Sequence, residues 1–302
     1  MTQESIRIGV DLGGTKIEAI ALDFSGEILA RRRVATPSQD YDEIIRAVAA
    51  LVRDMELETE RRGTVGVGAP GSISTHTGLA KGSNTQVVNG RPLDADLSQA
   101  LSRPVRVEND ANCFALSEAV DGAGQGARVV FGVILGTGVG GGVVVDGKVL
   151  TGRNRIAGEW GHTPLPWMTP EEYPGARCFC GHDGCVETFL SGPGLSREYA
   201  RRAGAAATGQ EITQRAERGE AAALAALDAY QDRLARALAM VIDVLDPDVI
   251  ALGGGVSNIE RLYAGLRERV AKHAFTDALD TRILRNRHGD SGGVRGAAWL
   301  WR

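Results

Sequence analysis

The sequence is poor in the features that mark several large protein classes. Four cysteines in 302 residues are too few for a disulfide-built scaffold. No apolar run reaches the roughly 20 residues that cross a bilayer, which excludes a membrane-spanning helix. A net charge of -4 leaves no basic footprint for nucleic acid. The first residues, MTQESIRIGV, lack the charged start, apolar stretch and small-residue cleavage site of a secretion signal. The expectation is a cytoplasmic protein whose thiols stay reduced. No linker is rich enough in Pro or Ser to hold domains on a loose tether. What the chain does have is 43% hydrophobic residues, ample for one large domain or two ordinary ones. It also has 40 glycines, clustered in a few tight turns. That clustering points to backbone that approaches a ligand closely.

Hydrophobic periodicity organises the chain. Residues 6–12 (IRIGVDL) alternate as a strand, Gly13-Gly14 turns, and 17–23 reads as a second strand, with a third near 28–34. Residues 41–55 carry Ile44, Ile45, Val48, Leu51, Val52 and Met55 at helical spacing. A strand over 64–71, a short helix over 94–102, a strand over 104–110 and a helix over 111–120 follow. The opening plan then recurs. Residues 129–150 (VVFGVILGTGVGGGVVVDGKVL) read as strand, Gly-rich turn, strand, Asp-Gly hairpin and strand, which points to an internal duplication. A long helix over 224–245 ends at Asp246-Pro247, a buried strand spans 249–252, and helices are expected over 259–275 and 293–301. The class is α/β with two similar halves, and a boundary falls near 118–128.

Three glycine turns carry the first chemical signal. Asp11-Leu-Gly13-Gly14-Thr15-Lys16 lies between two strands, so it is neither a Walker loop nor a Rossmann fingerprint, both of which lead into a helix. Its amides can face phosphate oxygens, Thr15 adds a hydroxyl, and Asp11 can hold magnesium directly or through water. Gly136-Thr137-Gly138 repeats the pattern, and Gly253-Gly254-Gly255 can receive a base and ribose. A plain structural hairpin explains any one turn and explains the set of three poorly. Glu108-Asn109-Asp110-Ala-Asn112 closes a strand just before a helix. Asp110 is the candidate base for phosphoryl transfer to a hydroxyl, while a helix cap from Asn109 or Asp110 is the plainer alternative. Glu159 and His162, three residues apart, and Glu187 suit a polyhydroxylated ligand.

Three of the four cysteines fall in CFCGHDGC, residues 178–185. A disulfide would leave an odd thiol, and a redox centre would want C-x-x-C beside a βαβ unit. A structural zinc fits best and needs a fourth ligand beside Cys178, Cys180 and Cys185. His162 is favoured over His182, because Gly158 and Gly161 leave its loop free to approach. Cys113 lies on the apolar face of a helix and reads as a buried hydrophobe.

Taken together, these segments resemble the ROK family (repressors, open reading frames and sugar kinases) over essentially the whole chain. The likeness is carried by DLGGTK at 11–16, GAPGSIS at 69–75, ENDAN at 108–112, LGTGVGGG at 135–142, AGEWGH at 157–162, CFCGHDGCVE at 178–187 and ALGGGVSN at 251–258. GSIS, EWGHTPLPWM, LDPDVIALGGGVSN and HGDSGGVRGAAWLW add a closer likeness to bacterial fructokinases of the manno(fructo)kinase type. Nothing like a DNA-binding helix-turn-helix precedes the first strand, which points away from the repressor branch. The resemblance implies an actin-like ATPase (ribonuclease H-like) fold. A small lobe would span 1–118 plus about 289–302, and a large lobe with the zinc knuckle 119–288.

It further implies an ATP-dependent hexose kinase acting on the 6-hydroxyl of fructose. The alternatives are glucose, mannose or N-acetylglucosamine within the family, or a sugar sensor without turnover. Asp110 would be the catalytic base and would itself contact sugar, together with Gly71, Asn84, Asn109, Glu159, His162 and Glu187, with His162 also on zinc. Asp11, Gly13, Gly14, Thr15 and Lys16 would line the phosphates with Gly136, Thr137 and Gly138. Gly254, Gly255 and Asn258 would meet the nucleoside. ATP, magnesium, a structural zinc and a homodimer complete the implied set, and zinc would serve the sugar pocket alone, with no part in phosphate transfer. One departure stands out. Related kinases usually carry an aromatic, typically Trp, shortly after the sugar-binding Asn, where this chain has Gln86-Val87-Val88.

Overall fold

The computed structural model describes residues 5–302. In chain order the elements are β1 (Ile6–Leu12), β2 (Lys16–Leu22), β3 (Ile28–Ala35), α1 (Tyr41–Thr59), β4 (Gly63–Ala69), β5 (Ser72–Ile73), β6 (Ala80–Lys81), α2 (Leu93–Leu101), β7 (Val105–Asn109), α3 (Asp110–Val120), β8 (Val129–Leu135), β9 (Val139–Val145), β10 (Lys148–Val149), α4 (Val186–Leu190), α5 (Gly192–Ala203), α6 (Gly209–Glu217), α7 (Ala221–Leu245), β11 (Val249–Gly253), α8 (Leu266–Ala271), β12 (Arg282–Arg285) and α9 (Gly292–Trp299).

The duplicated sequence pattern becomes a duplicated sheet. One sheet runs β3-β2-β1-β4-β7 and the other β10-β9-β8-β11-β12. In each, the first three strands stand in reverse chain order and two later strands extend the other edge. β1 pairs antiparallel with β2 and parallel with β4, and β8 pairs parallel with β11. The Asp146-Gly147 hairpin has both residues at positive φ, 49° and 72°, as a two-residue turn of this type requires.

The chain divides into two compact units. The first takes residues up to Gly126, Gly142–Ala157 and Arg287–Arg302, and the second takes Ala127–Gly141 and Gly158–Asn286. Residues 142–157 thus go with the N-terminal unit, whereas the sequence assigns them to the C-terminal lobe. Gly142 packs so closely on α3 that a Cβ there would stand 2.6 Å from the Ala111 carbonyl oxygen. That packing is tertiary and leaves no local pattern.

The core of the first unit follows from its periodicities. Ile6, Ile8, Val10 and Leu12 of β1 are buried, and α1 turns Ile44, Val48, Leu51, Val52 and Met55 inward. Asp40 caps α1 by accepting the Glu43 N–H, which satisfies one of the free amides of the first turn. Helix α9 packs on β1 and β4. Gly9 and Gly66, paired across those strands, make this possible, since a Cβ at either would overlap the α9 backbone. In the second unit the 25-residue α7 is the central buried helix, and it ends where Asp246 turns left-handed at φ 48°. Among the described residues, no helix is long and apolar enough to cross a membrane.

One expected helix does not form as a single element. Over 259–275 the chain makes a 3-10 turn at Glu260–Leu262 and then the short α8. Gly265 sits between them at φ 70°, a left-handed conformation that stops one helical segment before the next begins. Helices α5 and α6 and strand β12 have no counterpart among the elements read from the sequence.

Candidate functional site

In the first unit the DLGGTK segment is a hairpin turn between β1 and β2. It is closed by the Gly13 N–H donating to the Lys16 carbonyl at 3.0 Å. Thr36 buttresses it, with its hydroxyl on the Gly13 carbonyl and its N–H on the Thr15 carbonyl. Thr15 and Lys16 are exposed. Asn84 stands beside this turn, since a Cβ on Gly14 would lie 3.6 Å from its Oδ1.

Asp11 ends up in a setting that disfavours its charge. Burial pushes its carboxyl up to about 6, helped by the nearby Asp110 and Glu18 carboxylates, while Lys16 and Arg33 oppose. Such a carboxyl is suited to a divalent cation, whose charge would favour the ionised form.

In the ENDAN segment the cap falls to Asn109. Asn109 is the cap of α3, and its Oδ1 accepts the Ala111 and Asn112 N–H groups. Its amide nitrogen donates to the Gly71 carbonyl at 3.1 Å, and its side chain also hydrogen-bonds the Asp110 carboxylate. Asp110 is therefore relieved of the capping role. It is half-buried, and Oδ1 accepts the Ala111 N–H at 2.8 Å. Burial raises its carboxyl above the usual range, against the lowering effect of that amide. A raised carboxyl holds a proton more readily than an ordinary aspartate. Gly71 and Asn109 also border a pocket of about 10 Å³ with Arg155, a residue absent from the set read from the sequence. Arg155 adopts φ 53°, which composition does not signal.

In the second unit Gly136, Thr137, Gly255 and Asn258 share one open groove of about 740 Å³. Gly138 and Gly254 do not line it. The groove's other wall comes from Gly192 and Pro193 of α5 and Gln210, Thr213, Gln214 and Glu217 of α6. Sequence reasoning missed these. The available signal was the Thr208-x-x-Glu211 capping box that starts α6, with both reciprocal hydrogen bonds formed.

The cysteine cluster gathers with His162. The ligand atoms of His162, Cys178, Cys180 and Cys185 all lie within 4.8 Å of one another. Cys180 Sγ and Cys185 Sγ are 3.5 Å apart, and Cys178 Sγ is 3.6 Å from His162 Nδ1. A disulfide needs about 2.05 Å. A tetrahedral zinc with Zn–S of about 2.3 Å and Zn–N of about 2.0 Å separates its ligand atoms by roughly 3.5–3.8 Å. The donor set and its spacing therefore fit zinc. His182 is exposed, and its backbone serves the turn: its carbonyl accepts the Cys178 N–H at 2.8 Å, and its N–H donates to the Cys180 sulfur.

With Nδ1 turned to the cysteines, His162 presents Nε2 toward Glu159, 4.0 Å from its carboxylate. Trp160, between them, is buried and donates to the Gly140 carbonyl at 2.9 Å. Glu187 accepts the Val139 N–H at 3.0 Å. Cys113 is fully buried, and its thiol is pushed well above its ordinary value by that burial.

The ROK family model matches residues 7–302. The chain belongs to the ROK family. Its fold is mixed α/β, the actin-like ATPase fold of ROK sugar kinases. An N-acetyl-D-glucosamine kinase of Photobacterium profundum is 44% identical over 296 residues, 97% of this chain and 98% of that one. The enzyme of the same name from Vibrio cholerae is 43% identical over the same shares. Among solved structures, the ROK hexokinase from Thermus thermophilus superposes with TM-score 0.86 at 32% identity, covering 97% of this chain and 96% of that one. A ROK family glucokinase from Streptomyces griseus, in complex with glucose and AMPPNP, gives 0.76 at 30%, with 98% and 99% covered.

These relatives do not support the expectation of a fructokinase. The segments behind that expectation explain why. LDPDVIALG is the end of α7 and the fully buried β11, and GVRGAAW is the largely buried α9. These two segments are buried scaffold, whereas the other two, GSIS and EWGHTPLPWM, contain the candidate sugar contacts Gly71, Glu159 and His162.

Proposed function

We propose that this chain is an ATP-dependent kinase that transfers the γ-phosphoryl group to the 6-hydroxyl of N-acetyl-D-glucosamine. The observation that carries the sugar is the 44% identity, along nearly the whole length of both chains, to an N-acetyl-D-glucosamine kinase. In this reading Asp110 takes the proton of the sugar hydroxyl as its oxygen bonds to the γ-phosphorus and the bond to the bridging oxygen breaks. Its raised carboxyl supports that role. Proton transfer is the smaller part of the work, because phosphoryl transfer depends mainly on positioning and charge neutralisation.

The Gly13-Gly14-Thr15-Lys16 turn and the Gly136-Thr137-Gly138 turn would face phosphate oxygens. Gly254, Gly255 and Asn258 would receive the nucleoside, and the shared groove at Gly136, Thr137, Gly255 and Asn258 supports this. Asp11 would hold magnesium, which when bound neutralises phosphate charge. Gly71, Asn84, Asn109, Glu159, His162 and Glu187 would bind the sugar. Zinc on Cys178, Cys180, Cys185 and Nδ1 of His162 would leave Nε2 for a sugar hydroxyl.

The test is a coupled assay across N-acetylglucosamine, glucose, mannose and fructose. The expected result is the highest kcat/KM on N-acetylglucosamine. A preference for fructose would restore the sequence expectation, and no turnover on any sugar would favour a sensor that binds without catalysis.

A further inference from the structure

Glu187 follows the cysteine knuckle by two residues, and family resemblance gives it only a sugar to bind. Its surroundings give it a second task. Its Oε2 accepts the N–H of Val139, the residue directly after the Gly136-Thr137-Gly138 turn. A Cβ on Gly138 would stand 2.6 Å from that same oxygen, so only glycine lets the carboxylate come so near. Five residues further along, the Gly192 N–H donates to the Gly136 carbonyl at 2.7 Å. The Ser191 N–H donates to the Glu187 carbonyl at 3.1 Å and links the two anchoring points. The turn is thus gripped at both ends by one segment, 187–192, which leaves the knuckle directly.

We infer that Glu187 is a positioning residue for the second phosphate turn, holding its amides ready for nucleotide before any sugar arrives. The inference rests on the kinase reading above. The physical ground is pre-organisation. A glycine-rich turn has wide conformational freedom, and nucleotide binding must otherwise order it. A charged acceptor on the Val139 N–H removes part of that cost in advance. Zinc held by the knuckle would therefore support the phosphate site, through Glu187 and Gly192, as well as the sugar site, contrary to the division of labour expected from the sequence.

The experiment is calorimetric titration of ADP with magnesium into sugar-free protein, with zinc content measured on each preparation. Glu187→Ala is expected to weaken ADP about tenfold. Glu187→Gln keeps an acceptor oxygen and is expected to stay within about twofold of wild type. Gly138→Ala approaches the same contact from the turn, pushes the carboxylate off Val139 and is expected to weaken ADP similarly with zinc retained. A role confined to sugar predicts no change in Glu187→Ala or Glu187→Gln, whatever Gly138→Ala does to the turn it belongs to. Unchanged ADP affinity in Glu187→Ala and Gly138→Ala overturns the inference, as does equal weakening in Glu187→Ala and Glu187→Gln. Should Glu187→Ala fail to fold, the other two variants decide alone. Wild type that binds no nucleotide and phosphorylates no sugar would overturn the kinase reading itself.

Discussion

The two strand–turn–strand units share one plan and are held in different ways. The first turn closes on its own backbone, Gly13 to Lys16, with help from Thr36, the residue just past β3. Every support is within 24 residues. The second turn closes through Gly136 N–H on the Gly138 carbonyl and is then braced from Glu187 and Gly192, about 50 residues away. Duplication kept the backbone path and let the surroundings diverge. The first unit gathers acids around its turn, Asp11, Glu18 and Asp110. The second ties its turn to the segment that leaves the cysteine knuckle. The contrast assigns chemistry to one unit and pre-organisation to the other, and four experiments bear on it.

The largest effect is expected at the acid of the first unit. Asp110→Asn should lower kcat about a thousandfold, within the usual range for loss of a general base, with sugar affinity changed little. The amide oxygen can still accept the Ala111 N–H, so the helix start is preserved. The pH profile should agree. The base works when deprotonated and its carboxyl is raised, so the rate should fall on acidification at a pH above the ordinary aspartate value of 3.8. Undiminished turnover would remove Asp110 as base.

Breaking the knuckle tests the other side. Cys178→Ser should release zinc and raise the sugar KM by about ten- to a hundredfold, as loss of metal support commonly does. If the brace through Glu187 operates, ADP affinity of the sugar-free protein should fall as well, as titration will show. A folded variant with weakened sugar and intact ADP binding would confine the knuckle to the sugar and dissolve the contrast between the turns.

What was legible in the sequence follows the range of each interaction. The strands, both glycine turns, α1, α7 and the His162-Cys cluster were visible because periodicity and motif spacing are local. The brace was not, because the Glu187–Val139 bond spans 48 residues and leaves no pattern. Gly265 was read as part of a helix because the apolar pattern runs on through it, while its left-handed backbone stops the helix. Gly9 and Gly66 carry a similar lesson. Abundant glycine pointed to ligand approach, yet these two serve the approach of α9 to the sheet. The relatives favour N-acetylglucosamine over fructose, and two of the four segments that suggested fructose, around β11 and α9, are buried scaffold that carries the family more than the sugar.

Asp11 gives a smaller effect with two signs. Its folded-state carboxyl, near 6, lies above the ordinary aspartate value of 3.8, so the fold holds the proton more tightly than the unfolded chain does. The ionised form therefore costs stability above about pH 6, and the cost disappears below about pH 4. A shift of about two units corresponds to ~3 kcal/mol at most. Asp11→Asn should accordingly raise unfolding free energy by about 2 kcal/mol at pH 7, with no gain at pH 4, while turnover falls. Urea unfolding in EDTA at both pH values measures it. An equal gain at both would trace the effect to packing.

The smallest effect is expected at Gly14. A Cβ there meets Asn84 Oδ1 and Thr85 Oγ1 at 3.6 Å, ordinary contact distance, and its φ lies outside the left-handed region. Gly14→Ala should change stability by less than about 0.5 kcal/mol, and it also narrows the unfolded ensemble slightly in the mutant's favour. Its cost should fall on nucleotide affinity, because the methyl stands where phosphate would approach the amide. Gly138→Ala differs in kind, since its methyl meets Glu187 before any ligand arrives. Thermal unfolding of the two variants side by side reads the contrast directly. A marked drop for Gly14→Ala would mean that the first turn, too, is held by packing that its own hydrogen bonds do not reveal.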